Sequence, residues 1–293
     1  GFYWNSERNV MLTILDVLQR TTAFFEAKQI ENARLNAELL LVHGLGLSTR
    51  MDLYMEFDRL LQESELEKVR PLVKRRSIGE PIQYIEGKAN FMGENFMVDS
   101  RVLIPRPETE ELVERIGVYF EDKSPQKILE LGTGSGVIAL SLARMFPKAE
   151  IIATDISRDA LTVAERNSED QGLSEQISFI ESDWFEGIDG NFDLIVSNPP
   201  YLSQEDVDQS HPEVRDHEPL DALVSSGANG EDCLLAIMSK AFPFLTKDAI
   251  LAMETGIDQR KALEATATRL GYQDILHETD LSGRDRFFFA RKA

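Results

Sequence analysis

The run Ile128-Leu129-Glu130-Leu131-Gly132-Thr133-Gly134-Ser135-Gly136 restricts the possible folds more than any other stretch of this chain. Its apolar first half reads as a buried strand, and the apolar residues that follow it read as a helix. The glycines between them let the backbone turn tightly and approach a ligand without interference from Cβ atoms. An ordinary strand-to-helix loop has the same outline, so the glycines alone decide little.

The surroundings decide more. Strand-like and helical segments alternate from this loop to the end of the chain, with strands expected over 127–131, 151–154, 177–180, 192–197, 249–253, 272–277 and 286–290 and helices over 137–144 and 159–171. Such alternation predicts an α/β fold built on a mostly parallel, seven-stranded sheet. Leu112, Val113, Ile116, Tyr119 and Phe120 form a helical face just before it. The stretch 203–232 is long and weakly periodic, a length that in a compact domain usually marks function or mobility.

The first eighty residues differ in kind. Met11, Leu15, Leu18 and Phe25 fall on one helical face, and Leu35, Leu39 and Val42 on another before Gly44. A further helix is expected to start at Ser64, where Ser64 and Glu67 have capping-box spacing, and to end near Ser77-Ile78-Gly79-Glu80-Pro81. Alternation over 82–98 around Gly93-Glu94-Asn95 predicts two strands joined by a turn. The expected organisation is a helical domain over 1–80, a β-hairpin linker over 81–104 and an α/β domain over 105–293. The chain opens Gly1-Phe2-Tyr3-Trp4 without an initiator Met, and Met11 is one possible later start.

The next strand ends in Ala153-Thr154-Asp155-Ile156, which brings a carboxylate to the mouth of the sheet beside the glycine loop. An acid there can accept hydrogen bonds from both hydroxyls of a ribose. Nicotinamide enzymes use the same device, but their pattern is G-x-G-x-x-G, whereas here the glycines stand at 132, 134 and 136. After the third strand, Asp183 can accept from an adenine amino group and Trp184 can cover a ring face, although a surface acid beside a core aromatic reads equally well in isolation. Three adenosine-compatible features at successive strand ends are less easily put down to coincidence.

Asn198-Pro199-Pro200-Tyr201 directly follows the apolar strand Leu194-Ile195-Val196-Ser197. Two successive prolines stiffen the turn and remove two backbone donors, leaving carbonyl acceptors in fixed positions. The Asn198 side-chain oxygen and the Pro199 carbonyl can take the two hydrogens of an incoming NH2 group while Tyr201 packs on the planar acceptor. Holding those hydrogens favours a pyramidal nitrogen and aims its otherwise delocalised lone pair at an electrophilic methyl group, for an in-line displacement. A rigid proline turn ending a strand is the plain alternative.

With these residues in view, the sequence resembles the N5-glutamine methyltransferases that modify peptide chain release factors. The resemblance spans nearly the whole chain and rests on Glu80-Pro81-Ile82-Gln83-Tyr84-Ile85, Val102-Leu103-Ile104-Pro105-Arg106-Pro107-Glu108-Thr109-Glu110, the glycine loop, Asn198-Pro199-Pro200-Tyr201 and Glu218-Pro219. Asn-Pro-Pro-Tyr is shared with DNA and RNA amine methyltransferases, whereas the segment from Ile104 to Glu110 is more specific. The resemblance implies a Rossmann-like class I S-adenosylmethionine-dependent methyltransferase carrying a small N-terminal helical bundle. It implies that Gly132, Thr133, Gly134, Ser135, Gly136 and Asp155 bind S-adenosylmethionine, with Asp183, Trp184 and Asn198 also at the cofactor. Asn198, Pro199, Pro200 and Tyr201 would hold the substrate glutamine, that of the Gly-Gly-Gln motif of a release factor, and Asn198, Pro199 and Tyr201 would be catalytic. The helical domain would contribute to recognising the release factor. Arg106 and Thr109 are read either as closing the cofactor pocket or as a salt bridge and a helix cap, and Glu254 and Asp193 as structural acids.

Charge and cysteine content narrow the competing functions. Lys and Arg number 31 against 51 Asp and Glu, a formal charge of −20, so direct binding to a nucleic-acid backbone is not expected and a nucleic-acid exocyclic-amine methyltransferase is a secondary reading. A ribosomal-protein glutamine methyltransferase would differ only in its recognition surface, and a noncatalytic adenosine-binding module would leave the acceptor turn idle. The single Cys233 cannot form an intramolecular disulfide, and His43, His211, His217 and His277 lack metal-ligand spacing, so a cytoplasmic protein without a metal is expected. No apolar stretch approaches the roughly 20 residues that span a bilayer. No His or Glu is assigned as an essential base, since the methylated nitrogen can lose its proton to water.

Overall fold

The computed structural model describes residues 11–293; the opening Gly1-Phe2-Tyr3-Trp4 lies outside the described residues. The chain divides between Gly87 and Lys88 into two units, a division bracketed by the expected limits at 80 and 104. No helix among the described residues is long and apolar enough to cross a membrane.

The first unit is helical: α1 (Ile14–Ala27), α2 (Ala33–Leu45), α3 (Arg50–Met55), α4 (Glu63–Ser77) and α5 (Ile82–Glu86). Thr13 caps α1 in a reciprocal pair with Asp16, and Thr49 does the same for α3 with Asp52. Its core is formed by Leu18, Phe25, Leu40, Leu41, Leu53, Val69 and neighbouring side chains.

Several expectations here are corrected. Met11 is exposed, and α1 buries Ile14, Val17, Leu18, Thr21 and Phe25. In α2, Leu35 is exposed while Ala33, Asn36, Ala37, Leu40 and Leu41 are buried. The run Leu39-Leu40-Leu41-Val42 is apolar on every side and carries no phase of its own. The cap of α4 is Gln62 with Glu65 rather than Ser64 with Glu67, two residues earlier. Residues 82–86, expected as strand, form α5: Pro81 presets its first turn and Gly87 stops it in the left-handed region, with φ 71°.

In the second unit, β1 (Lys88–Phe91) and β2 (Glu94–Met97) make the expected hairpin around Gly93. The hairpin belongs to the α/β unit, since the Asn167 side chain accepts from Met97 N at 2.7 Å and donates to Met97 O at 3.0 Å and Ser135 O at 2.8 Å. After α6 (Pro107–Tyr119) come β3 (Lys127–Leu131), α7 (Val137–Met145), β4 (Glu150–Asp155), α8 (Arg158–Asp170), β5 (Ile177–Glu181) and β6 (Phe192–Ser197). The stretch 203–232 folds into the short helices α9 (Gln204–Gln209) and α10 (Pro212–His217) and a 3-10 turn. It leads into α11 (Asp232–Ala241), β7 (Leu245–Glu254), α12 (Arg260–Leu270), β8 (Gln273–Thr279) and β9 (Asp285–Arg291).

The seven-stranded sheet has the order β5-β4-β3-β6-β7-β9-β8. Strands β3 to β7 run parallel, and β9 is antiparallel to both β7 and β8. This is the class I methyltransferase arrangement. Apolar residues cover both faces of the sheet, with Ile128, Leu140, Ile151 and Leu194 in one core and Leu129, Ile195, Met238 and Leu251 in the other, which is why the central strands read as continuous apolar runs. The chain moves outward from β3 to β5 and returns on the other side of β3 as β6. The crevice at such a reversal, beyond the carboxyl ends of the strands, is where open α/β sheets bind ligands.

Candidate active site

A cavity of about 410 Å³ opens over the carboxyl ends of β3, β4, β5 and β6, a size suited to a small molecule. Gly132, Gly134 and Gly136 all have positive φ, at 72°, 55° and 84°. Gly134 lines the cavity, and a Cβ built on it meets nothing within 4 Å. A Cβ on Gly136 would lie 2.9 Å from Leu140 Cδ1 and 3.1 Å from Ala164 Cβ, so this glycine lets α7 pack tightly where it starts. Thr133 N donates to Thr154 O at 2.8 Å, fastening the loop to β4.

Two acids hold the loop from below and beside. Glu130 is buried at 1% exposure, and its Oε2 accepts from Thr133 Oγ1 at 2.7 Å and Ala139 N at 3.0 Å. Burial pushes its pKa up to about 8 despite those two donors. Asp155 Oδ2 accepts from Gly134 N and its Oδ1 from Ser157 N, both at 2.9 Å. Burial raises its pKa as well, against those backbone donors. The backbone N–H groups of Gly134, Ser157 and Ile156 take up part of the carboxylate's acceptor capacity of about four lone-pair sites, which leaves room to accept from a ribose hydroxyl.

Asp183 and Trp184 follow β5 and line the same cavity. Trp184 has φ 54°, an uncommon conformation for a bulky residue, with Ser182 Oγ 3.1 Å from its carbonyl oxygen and 2.8 Å from that of Glu186. A Cβ on Gly132 would lie 3.8 Å from Trp184 Cζ3, so the indole sits against the glycine turn. Glycine turn, acceptor carboxylate and indole together fit an adenosyl group.

On the acceptor side, Ser197 is fully buried and donates to Leu131 O at 2.7 Å, which joins the ends of β6 and β3. Asn198 follows, half-buried, its Nδ2 donating to Thr109 Oγ1 at 3.2 Å. Thr109 in turn donates to Glu254 Oε2 at 2.7 Å, and Tyr201 OH donates to Glu254 Oε1 at 2.8 Å. Arg286 Nη1 donates to Tyr201 OH at 3.3 Å, and its guanidinium lies 5.8 Å from the tyrosine ring centroid. Burial raises the Glu254 pKa while Thr109, Tyr201 and Arg286 oppose the shift; burial raises that of Tyr201 well above its usual value.

Of the residues singled out from sequence, Gly132, Thr133, Gly134, Ser135, Asp155, Asp183, Trp184, Asn198 and Pro200 line one cavity. Gly136, Pro199 and Tyr201 do not line it: Gly136 caps α7, Pro199 is buried, and the Tyr201 hydroxyl is engaged by Glu254. Arg106 pairs with Glu218 at 2.5 Å, and Glu218 also accepts from Ile104 N at 3.1 Å. Both Arg106 and Thr109 line the cavity, and neither side chain caps α6. Asp193 accepts from the backbone N–H groups of Gln126 and Lys127. Glu130 and Cys233 were not anticipated in the lining. An acid inside the apolar run Ile128-Leu129-Glu130-Leu131 is a signal that could have marked the first; a lone cysteine carries none. Among the described residues, no group of three or more His, Cys, Asp or Glu is placed to hold a metal ion.

Known proteins share this architecture. The Methyltransferase small domain family matches residues 109–224, and the PrmC N-terminal domain family matches residues 16–87. Among solved structures, a ribosomal protein L11 methylase from Lactobacillus delbrueckii subsp. bulgaricus superposes with a TM-score of 0.50 at 22% identity, over 67% of this chain and 84% of that one. A 16S rRNA N2 G1207 methyltransferase from T. thermophilus, in complex with AdoMet and guanosine, gives 0.51 at 18% identity over 70% and 50%. At those identities the likeness shows the fold alone. Sequence relatives go further. The release factor glutamine methyltransferase of Chlorobaculum tepidum is 43% identical over 84% of this chain and 86% of its own length. Those of Rhodopirellula baltica and Geobacter sulfurreducens are 36% and 39% identical, each over 96% of this chain and 97% of theirs. Similarity of this degree, running through both units rather than the common fold alone, makes the chain a member of the release factor glutamine methyltransferase family.

Proposed function

We propose that the chain transfers a methyl group from S-adenosylmethionine to the side-chain amide nitrogen of the glutamine in the Gly-Gly-Gln motif of peptide chain release factors, in the cytoplasm. The observation that carries this reading is that Asn198 opens into the same cavity as Gly134, Asp155 and Trp184, so an acceptor nitrogen held by Asn198 meets whatever the adenosine side holds. The cofactor, when bound, supplies an electrophilic sulfonium methyl.

The chain's own residues do the rest. Gly134 gives the ligand close access to the backbone, Asp155 accepts from the ribose, and Trp184 covers an adenosine face. Asn198 Oδ1 accepts an amide hydrogen of the substrate, which draws the nitrogen toward pyramidal geometry and stabilises the positive charge that develops on it. The Gly-Gly pair next to the substrate glutamine lets its backbone approach a recessed site. The helical unit takes part in recognising the release factor. A net charge of −20 favours a neutral or basic protein partner over a polyanion.

The test is to offer purified release factor, a ribosomal protein and DNA in parallel with methyl-labelled cofactor. Label should enter the release factor and neither competitor. Label on DNA would favour the exocyclic-amine reading instead.

A further inference from the structure

We propose that Thr109 and Glu254 are positioning residues that fix which end of the Asn198 side chain faces the substrate. This rests on the reading of Asn198 as the group that holds the acceptor nitrogen. A carboxamide has two ends of nearly equal size, an oxygen that accepts and an NH2 that donates, and only the oxygen can hold a substrate amide hydrogen. If the side chain turned over, Asn198 would present a donor to a donor.

Its orientation is decided by the partner at the other end, Thr109 Oγ1, 3.2 Å from Asn198 Nδ2. A hydroxyl can donate or accept, so Thr109 alone would leave the choice open. Glu254 closes it. Its Oε2 stands 2.7 Å from Thr109 Oγ1, and in its ionised form, which burial opposes and the charge of Arg286 favours, the carboxylate only accepts. The single hydroxyl proton of Thr109 is therefore committed to Glu254, leaving lone pairs toward Asn198. Asn198 must then turn its NH2 to Thr109 and its oxygen away.

The other oxygen of the same carboxylate receives the Tyr201 proton at 2.8 Å. Both ends of the Asn198-Pro199-Pro200-Tyr201 turn thus hang on one buried acid, at 1% exposure. Arg286 supplies the compensating charge, donating to Tyr201 OH and to Thr255 O at 3.2 Å. Three chain segments meet here, since Thr109 is on α6, Glu254 ends β7 and Arg286 is on β9. A carboxamide at 254 could not accept both protons: its NH2 would face either Thr109 or Tyr201 and force that hydroxyl to reverse.

The experiment measures kcat and KM on a release factor, S-adenosylmethionine affinity by calorimetry, and melting temperature for Thr109→Val, Thr109→Ser, Glu254→Gln and Asn198→Ala. Asn198→Ala should lose most turnover with cofactor affinity kept. Thr109→Val, nearly isosteric, and Glu254→Gln should lower kcat by about 10- to 100-fold with cofactor affinity changed by less than about threefold. Thr109→Ser, which restores the hydroxyl, should recover most of the turnover lost in Thr109→Val. Wild-type kcat in Thr109→Val beside an inactive Asn198→Ala would overturn the positioning role and leave the role of Asn198 intact. Parallel loss of kcat, cofactor affinity and melting temperature in Thr109→Val, without rescue by serine, would overturn it in favour of a packing role. Wild-type turnover in Asn198→Ala would instead overturn the acceptor reading, and the inference with it. Should Glu254→Gln fail to fold, the valine and serine pair decides.

Discussion

Glu130 shows how much one buried acid can control. Its pKa, raised by burial from an ordinary 4.5 to about 8, means that the folded chain binds its proton more tightly than the unfolded chain does. Between those two values the folded state holds more protons, so this group's contribution to stability declines as pH rises through the window and levels off above about 8. Glu130→Gln keeps an oxygen for Thr133 and Ala139 but has no proton to lose. Its melting temperature should gain on wild type as pH is raised from about 5 to about 8, as thermal denaturation would show. Parallel curves would mean that Glu130 does not titrate in this range. The glycine loop, Asp155 and Asn198 were legible in the sequence because their chemistry is local: a turn that needs glycine, an acid at a strand end, an amide before two prolines. The part played by Glu254 was not, because its partner Thr109 lies 145 residues away and only the fold joins them.

At the scale of elements, the parallel strands could be read from sequence because burial on both faces makes them unbroken apolar runs. The short helices could not. Helices α9 and α10 have six residues each, too few to display a period, and α5, at five residues, alternates like a strand. The stretch 203–232 nevertheless has a structural task that its composition hides. It returns to the acceptor turn through Leu202 N to Leu223 O at 3.1 Å and Ser225 N to Leu202 O at 2.9 Å, and Gln259 Nε2 bridges Tyr201 O and Asn229 O at 2.8 and 2.7 Å. Gly230, at φ 73°, is where it comes closest. A Cβ there would fall 2.6 Å from Tyr201 O and 2.7 Å from Leu202 C, backbone atoms that cannot swing aside. Gly230→Ala should therefore displace the end of the acceptor turn, at a cost of about 1–3 kcal/mol, and lower both melting temperature and turnover. Thermal melts and kcat measured together check this, and unchanged values of both would show that the turn tolerates the displacement.

For the whole molecule, the sheet order and the functional reading converge on one place. Reversal of the chain between β5 and β6 opens the crevice beside β3, and the residues proposed to hold the cofactor follow β3, β4 and β5 while the proposed acceptor turn follows β6. The sequence predicts a mostly parallel sheet without fixing this order, which depends on which strands pair. Nor do charge and pattern alone distinguish a glutamine amide from an adenine amine, because the same acceptor turn can hold either NH2 group; relatives matching through both units favour the amide. Mass spectrometry of a release factor incubated with the enzyme and S-adenosylmethionine tests that choice most directly. One added methyl group should map to the side-chain nitrogen of the Gly-Gly-Gln glutamine and be absent when that glutamine is replaced by alanine. A methyl group on another residue, or one that persists in the alanine variant, would contradict the account.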